Sequence, residues 1–158
     1  MIIIVVTFAI GGTLAVVAAA DDARTHRLRN HYTGPLAMVA IAGFALAAVV
    51  GRMGFPVSDL VVSVAIFAGP WFAAWLISPA NIGFGDVKLG AGLGLYLGWL
   101  GIDVAFTGFV ATTTLAGLAA LLMVVLGRRQ TLMPFGPALV GGAIVAVALH
   151  ISGAGLVA

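Results

Sequence analysis

The chain has 158 residues, of which 63% are hydrophobic and 8% are charged, and its formal net charge is +2. A soluble domain has about a quarter charged residues, so this chain could not cover a soluble surface. Its seven Lys and Arg residues lie in short loops between apolar runs, which argues against nucleic-acid binding and is typical of a membrane topology signal. The composition predicts one transmembrane domain over residues 1–158.

Six apolar segments are candidates for helices that cross the hydrocarbon core, which needs about 20 residues. The fourth segment is short and rich in glycine, and glycine and proline mark the connections, including Gly34-Pro35. The sequence therefore predicts an all-α bundle of six transmembrane helices. In chain order, the predicted spans are 2–20, 35–50, 57–77, 87–100, 104–126 and 137–157.

The positive charges predict the direction of these spans. Arg52 lies on one side of the membrane, and the other six cations lie on the opposite side, which the positive-inside rule makes cytoplasmic. Both chain termini are then expected to be extracytoplasmic, as an even number of spans requires. The six cations on the predicted cytoplasmic side are Arg24, Arg27, Arg29, Lys88, Arg128 and Arg129.

The acidic residues, all aspartates, fall near the ends of the predicted spans. Asp22 ends a stripe of small residues in the first span, and Asp86 begins a stripe of glycines in the fourth. Small residues at this spacing let transmembrane helices approach closely. If the first and fourth spans pack through these stripes, the two carboxylates meet at the cytoplasmic edge. Alternatively, the stripes contact other helices and the aspartates are solvated end residues. The stripes consist of Gly11, Ala15 and Ala18 in the first span and Gly90, Gly94 and Gly98 in the fourth.

Two facing carboxyl groups can hydrolyse a peptide bond without a cofactor. Two like charges held close together cannot both ionise easily, so one pKa rises and the pair shares a proton. The ionised member takes a proton from water, and the neutral member donates one to the scissile carbonyl. We therefore expect no cofactor and no metal. Which of Asp22 and Asp86 is the base is left open by the sequence.

Three motifs in chain order resemble those of the type IV prepilin peptidases, a family of membrane aspartyl peptidases. Residues 81–88 read NIGFGDVK and resemble the family's GxGD signature. Residues 22–30 read DARTHRLRN and resemble its first motif, although Arg29 replaces the usual proline. Residues 133–137 read MPFGP and resemble the Pro-Phe-Gly-Pro element before the last helix. A lone GxGD is weak evidence, but three ordered motifs with six spans are specific.

The resemblance implies an aspartyl endopeptidase of the inner membrane that cleaves the basic leader of prepilins or prepilin-like proteins at the cytoplasmic face. It assigns catalysis to Asp22 and Asp86. Asp21 is a weaker candidate, because it points about 100° away from the small-residue stripe. Larger members have a cytoplasmic extension with paired CxxC motifs. This chain has no cysteine, so it resembles the short, cleavage-only branch of the tight-adherence or Flp type. Archaeal preflagellin peptidases are also short, so the pilin system stays open.

Other residues of these motifs are expected to shape the substrate site. Gly83 and Gly85, on either side of Phe84, would let a substrate backbone approach, whereas the alternative is a plain glycine loop. Lys88 either favours an ionised Asp86 or only sets the topology. The third motif either shapes the cleft or simply begins a helix. Its site-shaping candidates are Pro134, Phe135, Gly136 and Pro137.

Two other classes of protein are considered. A small transporter or channel subunit would use its acids to relay ions, but it predicts acids near mid-membrane and an inverted repeat, and we find neither in the sequence. A purely structural subunit would leave the joint spacing of three motifs unexplained. The expected partners are a prepilin or pseudopilin substrate and the lipid bilayer. The aromatic residues interpreted as membrane-belt or packing residues are Trp71, Trp75, Tyr96 and Trp99.

Overall fold

The computed structural model describes residues 1–25, 28, 30–79, 83–127 and 134–153. These ranges contain six α-helices and no β-strand, which confirms the all-α prediction. In chain order the helices are α1 (Ile2–Thr25), α2 (Asn30–Gly51), α3 (Val57–Ile77), α4 (Phe84–Leu100), α5 (Ile102–Val125) and α6 (Gly136–Ser152).

Four helices, α1, α2, α3 and α5, are long and apolar enough to cross a membrane. The other two, α4 and α6, have 17 residues each. At 1.5 Å per residue each extends about 26 Å, slightly less than a hydrocarbon core of about 30 Å. Six spans and extracytoplasmic termini stay predictions. The last part of the sixth predicted span, 154–157, and four of the predicted cytoplasmic arginines lie outside the described residues, namely Arg27, Arg29, Arg128 and Arg129.

The helices differ from the predicted spans mainly where α1 ends and α2 begins. The first helix continues past Ala20 and includes Asp21 and Asp22 before it ends at Thr25. The second begins at Asn30, so Gly34-Pro35 lies inside a helix, and the prediction of a loop there is wrong. A proline removes one backbone hydrogen bond from a helix, but the side chains that follow at four-residue spacing are packed in the core. These core side chains of α2 are Leu36, Ala40 and Phe44.

The central helix of the bundle is α4, which packs against α3, α2, α6 and α5. Its buried residues cover most of the helix surface and include four of its glycines. Two examples are Gly94, whose Cβ position lies 2.9 Å from the Cα atom of Val64 on α3, and Gly92, which lies against Leu36 of α2. Glycine thus allows neighbouring backbones to pack closely around a short central helix.

The small-residue stripes of α1 and α4 do not pack against each other, so the alternative, in which the stripes contact other parts of the bundle, is confirmed. The glycine stripe of α4 faces α3, whereas α1 packs mainly on α2 and α6. Gly11 of the α1 stripe lies against the ring of Tyr96, so this bulky side chain separates α1 from the backbone of α4. The two aspartates nevertheless share one end of the bundle, because α1 ends where α4 and α6 begin. We call this the aspartate end.

Candidate active site

Asp22 is buried near the end of α1, with 4% of its surface exposed. Its Oδ2 atom accepts a hydrogen bond of 2.8 Å from the backbone N–H of Gly136, the first residue of α6. The first N–H groups of a helix have no partner within the helix, so the N–H of Gly136 is free to donate to this side chain. The N-terminus of α6 therefore holds the Asp22 carboxylate in place.

The contact between Asp22 and α6 leaves no room for a side chain at position 136. A Cβ atom on Gly136 would lie 2.9 Å from Oδ2 of Asp22, 3.1 Å from its Cβ and 3.3 Å from its Cγ. Such distances are shorter than ordinary van der Waals contacts. The glycine of the third motif is thus explained by its close approach to the aspartate of the first motif.

Asp86 is half-buried in the first turn of α4, before the apolar part of that helix and outside the predicted span 87–100. Burial raises the pKa of its carboxyl group from 3.8 to about 6, and the nearby negative charge of Asp22 adds to the rise. A hydrogen bond from the backbone of Gly83 opposes the change in pKa. Burial and the nearby charge of Asp22 therefore both favour the protonated form of the Asp86 carboxyl group.

The two glycines of the GxGD motif have different surroundings. A Cβ on Gly85 would lie 2.6 Å from the Cβ and 3.1 Å from the carbonyl oxygen of Leu28. Leu28 belongs to the first motif, so this residue of the first motif lies directly against the start of α4. Gly83 is exposed, and a Cβ there would make only ordinary contacts, with Oδ2 of Asp86 at 3.4 Å and the backbone nitrogen of Gly85 at 3.9 Å. Gly85 makes room for the chain itself, whereas Gly83 is exposed, and its role in substrate binding stays a prediction.

Alanine substitutions at these two glycines are expected to separate packing from substrate access. Gly85→Ala should lower the free energy of unfolding by about 1–3 kcal/mol, as overpacking does, because Leu28 must move. Gly83→Ala should leave stability unchanged, since its φ of −73° and ψ of 134° suit alanine. Thermal unfolding of both purified variants in detergent measures the difference. Equal destabilisation would contradict this account. Loss of cleavage in Gly83→Ala at unchanged stability would assign Gly83 to the substrate.

Aromatic side chains of α3 contact residues of both the GxGD motif and the third motif. The ring of Trp75 lies 4.8 Å from that of Phe84, whose other neighbour is the Lys88 ammonium group, 5.1 Å from the ring centroid. The ring of Trp71 lies 4.5 Å from that of Phe135. Of the two interpretations, membrane-belt or packing residues, these contacts support packing for both tryptophans, but the sequence did not reveal that they pack at the site. The sequence signal for this was the four-residue spacing of Trp71 and Trp75, which puts both side chains on one face of α3.

Pro134 lies two residues before α6, and Pro137 lies in the first turn of that helix. Both line an apolar groove of about 430 Å³ between α5 and α6, together with side chains such as Leu122 and Met123. Pro137 occupies the second position of α6, where the missing N–H costs nothing. The helix-start interpretation therefore explains Pro137, and a cleft-shaping role for the two prolines stays a prediction.

The remaining ionisable groups of this end do not form a metal site among the described residues, where no group of three or more His, Cys, Asp or Glu side chains could hold an ion. Asp21 is half-buried, and no described residue forms a hydrogen bond with its buried Oδ2. It is Asp22, the candidate preferred from the sequence, that contacts α6.

The fold and the site define a helical membrane protein with two interacting carboxyl groups at one end of its bundle. A family model described as the type IV leader peptidase family matches residues 9–147, which include most of the chain and all three motifs. The chain therefore belongs to the type IV leader peptidase family, as the motifs predicted, and it is a membrane peptidase. No curated protein and no solved structure matches the chain significantly.

Proposed function

We propose that this protein is an aspartyl endopeptidase that removes the basic leader peptide of prepilins or prepilin-like proteins at the cytoplasmic face of the inner membrane. The observation that supports the aspartyl mechanism is the interaction between Asp22 and Asp86, which raises the pKa of Asp86 beyond the effect of burial. Membership of the type IV leader peptidase family supports the choice of substrate.

In this mechanism the two aspartates have different roles. Because the raised pKa of Asp86 assigns the acid role to that residue, Asp22 is the base. It takes a proton from a water molecule, whose oxygen adds to the scissile carbonyl carbon. Asp86 is the acid, because its raised pKa keeps it neutral up to about pH 6, and it protonates the carbonyl oxygen. When the tetrahedral intermediate collapses, Asp22 gives its proton to the leaving amine and Asp86 recovers a proton from the hydroxyl group.

The position of the site supports cleavage at a membrane surface. Both aspartates lie at helix ends, so water reaches them without crossing the hydrocarbon core. The positive-inside rule favours a cytoplasmic location for this end, because Arg24 is exposed there in the last turn of α1. The six spans and the extracytoplasmic termini are part of this proposal.

Cleavage of a co-expressed substrate tests the proposed function. The substrate is a prepilin with a basic leader that ends in glycine, and processing is followed by the change in its electrophoretic mobility. We expect processing by the wild type and none by Asp22→Asn or Asp86→Asn. Asp103→Asn is the matched control, because Asp103 is exposed at the start of α5, at the opposite end of the bundle. Processing that survives either substitution at the aspartate end would contradict the aspartyl-pair mechanism.

A further inference from the structure

An apolar groove of about 500 Å³ lies between α1, α4 and α6. We call it the lateral groove. It is lined by residues from 8–16 of α1, 93–97 of α4 and 140–151 of α6, and none of the described residues that line it is charged. Gly12 and Ile144 line the groove and are exposed, so the groove is open on the outside of the bundle, where a membrane protein meets lipid.

The lateral groove is aligned with the site residue of each of these helices, namely Asp22 in α1, Asp86 in α4 and Gly136 in α6. On each helix, two lining residues lie about two and about three turns from the site residue, within about 20° of the same helix face. These pairs are Ala15 and Gly11, Leu93 and Leu97, and Ala143 and Val147, respectively. The groove therefore begins within about 10 Å of the aspartates along the helix axes and continues away from the aspartate end.

The apolar lining alone does not identify what fills the groove, because lipid chains cover any apolar face in a membrane. The alignment with Asp22 and Asp86 does, because a polypeptide cut between them must continue on both sides of the scissile bond. On one side is the basic leader, whose charges would be costly in an apolar groove within the membrane. The part of the substrate after the scissile bond can enter the groove if it is apolar, and it must then be helical to pair its backbone groups.

We propose that the lateral groove binds an apolar helical segment of the substrate that directly follows the scissile bond. This inference rests on the proposed function, and it adds a second requirement on the substrate besides the basic leader. Side chains on one face of the segment would pack between α1 and α6 and hold the scissile bond at the level of the aspartates. Positioning of this kind raises the rate of cleavage, because the reacting groups are already aligned when the substrate is bound.

Filling the groove with a larger side chain tests this proposal. Gly12→Leu has room in the fold, because a Cβ at this position would meet nothing within 4 Å. Two substrates share one basic leader, which is followed by an apolar segment in the first and by a polar segment of equal length in the second. We expect Gly12→Leu to lower kcat/KM about tenfold for the apolar substrate, as overpacking of a close contact does, and less than about twofold for the polar one. The matched control is Gly117→Leu, at an exposed glycine of α5 outside the groove with equal space around it, and it should change neither value.

Photocrosslinking gives a second measurement that does not depend on cleavage. Nonsense suppression can insert p-benzoylphenylalanine at position 144, where Ile144 lines the groove and is exposed, in the Asp86→Asn background. We expect crosslinks to the apolar segment of the bound substrate. The same insertion at Leu118, which is exposed on α5 outside the groove, should give none.

Each other outcome overturns the inference. An equal loss of cleavage for both substrates would mean that Gly12→Leu disturbs the site itself. Unchanged cleavage of the apolar substrate, or no crosslink from position 144 to that substrate, would leave lipid as the occupant of the groove. A crosslink to a second copy of this chain in place of the substrate would identify a dimer contact. If the wild type cleaves neither substrate, the proposed function fails together with this inference, whereas the other outcomes leave the proposed function intact.

Discussion

Asp86→Asn is expected to abolish leader cleavage while it makes the folded protein more stable at neutral pH. Asparagine cannot donate the proton that the scissile carbonyl needs, and loss of a general acid lowers a rate by about 10²–10⁴-fold. For the same reason, cleavage by the wild type should decline as the pH rises through about 6, where Asp86 loses its proton.

The stability effect follows from the pKa of Asp86, which is raised from 3.8 to about 6 by burial and by Asp22. The folded state binds this proton more tightly than the unfolded state does, so the free energy of unfolding falls as the pH rises from about 4 to about 6 and stays lower above that. The rise in pKa corresponds to at most about 3 kcal/mol. Because Asp86 is only partly buried, solvent screening reduces this to about 1–2 kcal/mol. Asparagine has no charge to desolvate, so the free energy of unfolding of the variant does not fall as the pH rises.

Thermal unfolding of the detergent-solubilised protein at pH 4 and pH 7.5 measures this difference. Asp86→Asn should be more stable than the wild type at pH 7.5 and nearly equal to it at pH 4. Asp103→Asn, exposed at the other end of the bundle, should show no such dependence on pH. If Asp86→Asn were instead less stable than the wild type at pH 7.5, the carboxylate would be stabilising the fold and the interpretation of its pKa would be wrong.

Gly136→Ala is expected to lower kcat/KM by about 100-fold with little change in stability. Alanine keeps the backbone N–H that donates to Asp22, so any loss comes from the added methyl group. That group would lie 2.9 Å from Oδ2 and 3.1 Å from Cβ of Asp22, so the carboxylate must move away from α6. A misplacement of about 1 Å in a catalytic site can cost about 10²-fold in rate. The free energy of unfolding should change by less than about 1 kcal/mol, because alanine favours the helix by up to about 1 kcal/mol and offsets the crowding.

Cleavage rates and unfolding temperatures of the purified variant test this prediction together. Gly117→Ala is the matched control, because an added Cβ at this helical glycine of α5 would meet nothing within 4 Å. It should retain wild-type cleavage. An active Gly136→Ala would mean that Asp22 does not need its position against the start of α6.

Several features of this protein could be predicted from local sequence patterns, because hydropathy and helix formation depend on residues that are near one another in the chain. The apolar runs predicted the helices, including the short and glycine-rich α4. The aspartates at the ends of apolar segments predicted a site at one end of the bundle. The motifs predicted the peptidase family and both candidate catalytic residues, Asp22 and Asp86.

Which helix faces which was decided only by the tertiary structure. Small residues every three or four positions mark a face for close packing, but they do not identify the partner helix. The glycines of α4 therefore face α3 rather than α1, and Tyr96 occupies the space beside Gly11. Pro35 lies inside α2 because the buried side chains after it outweigh one lost backbone hydrogen bond.

The sequence by itself determined that this chain is a helical membrane peptidase with two aspartates at one end, because composition, hydropathy and motifs are all readable along the chain. Only the tertiary structure decided what holds each of those aspartates. The N–H of Gly136 that binds Asp22 comes from a residue 114 positions away, and Leu28 packs against Gly85 from another motif. Contacts between residues so distant in sequence depend on how the helices pack, which no local pattern specifies.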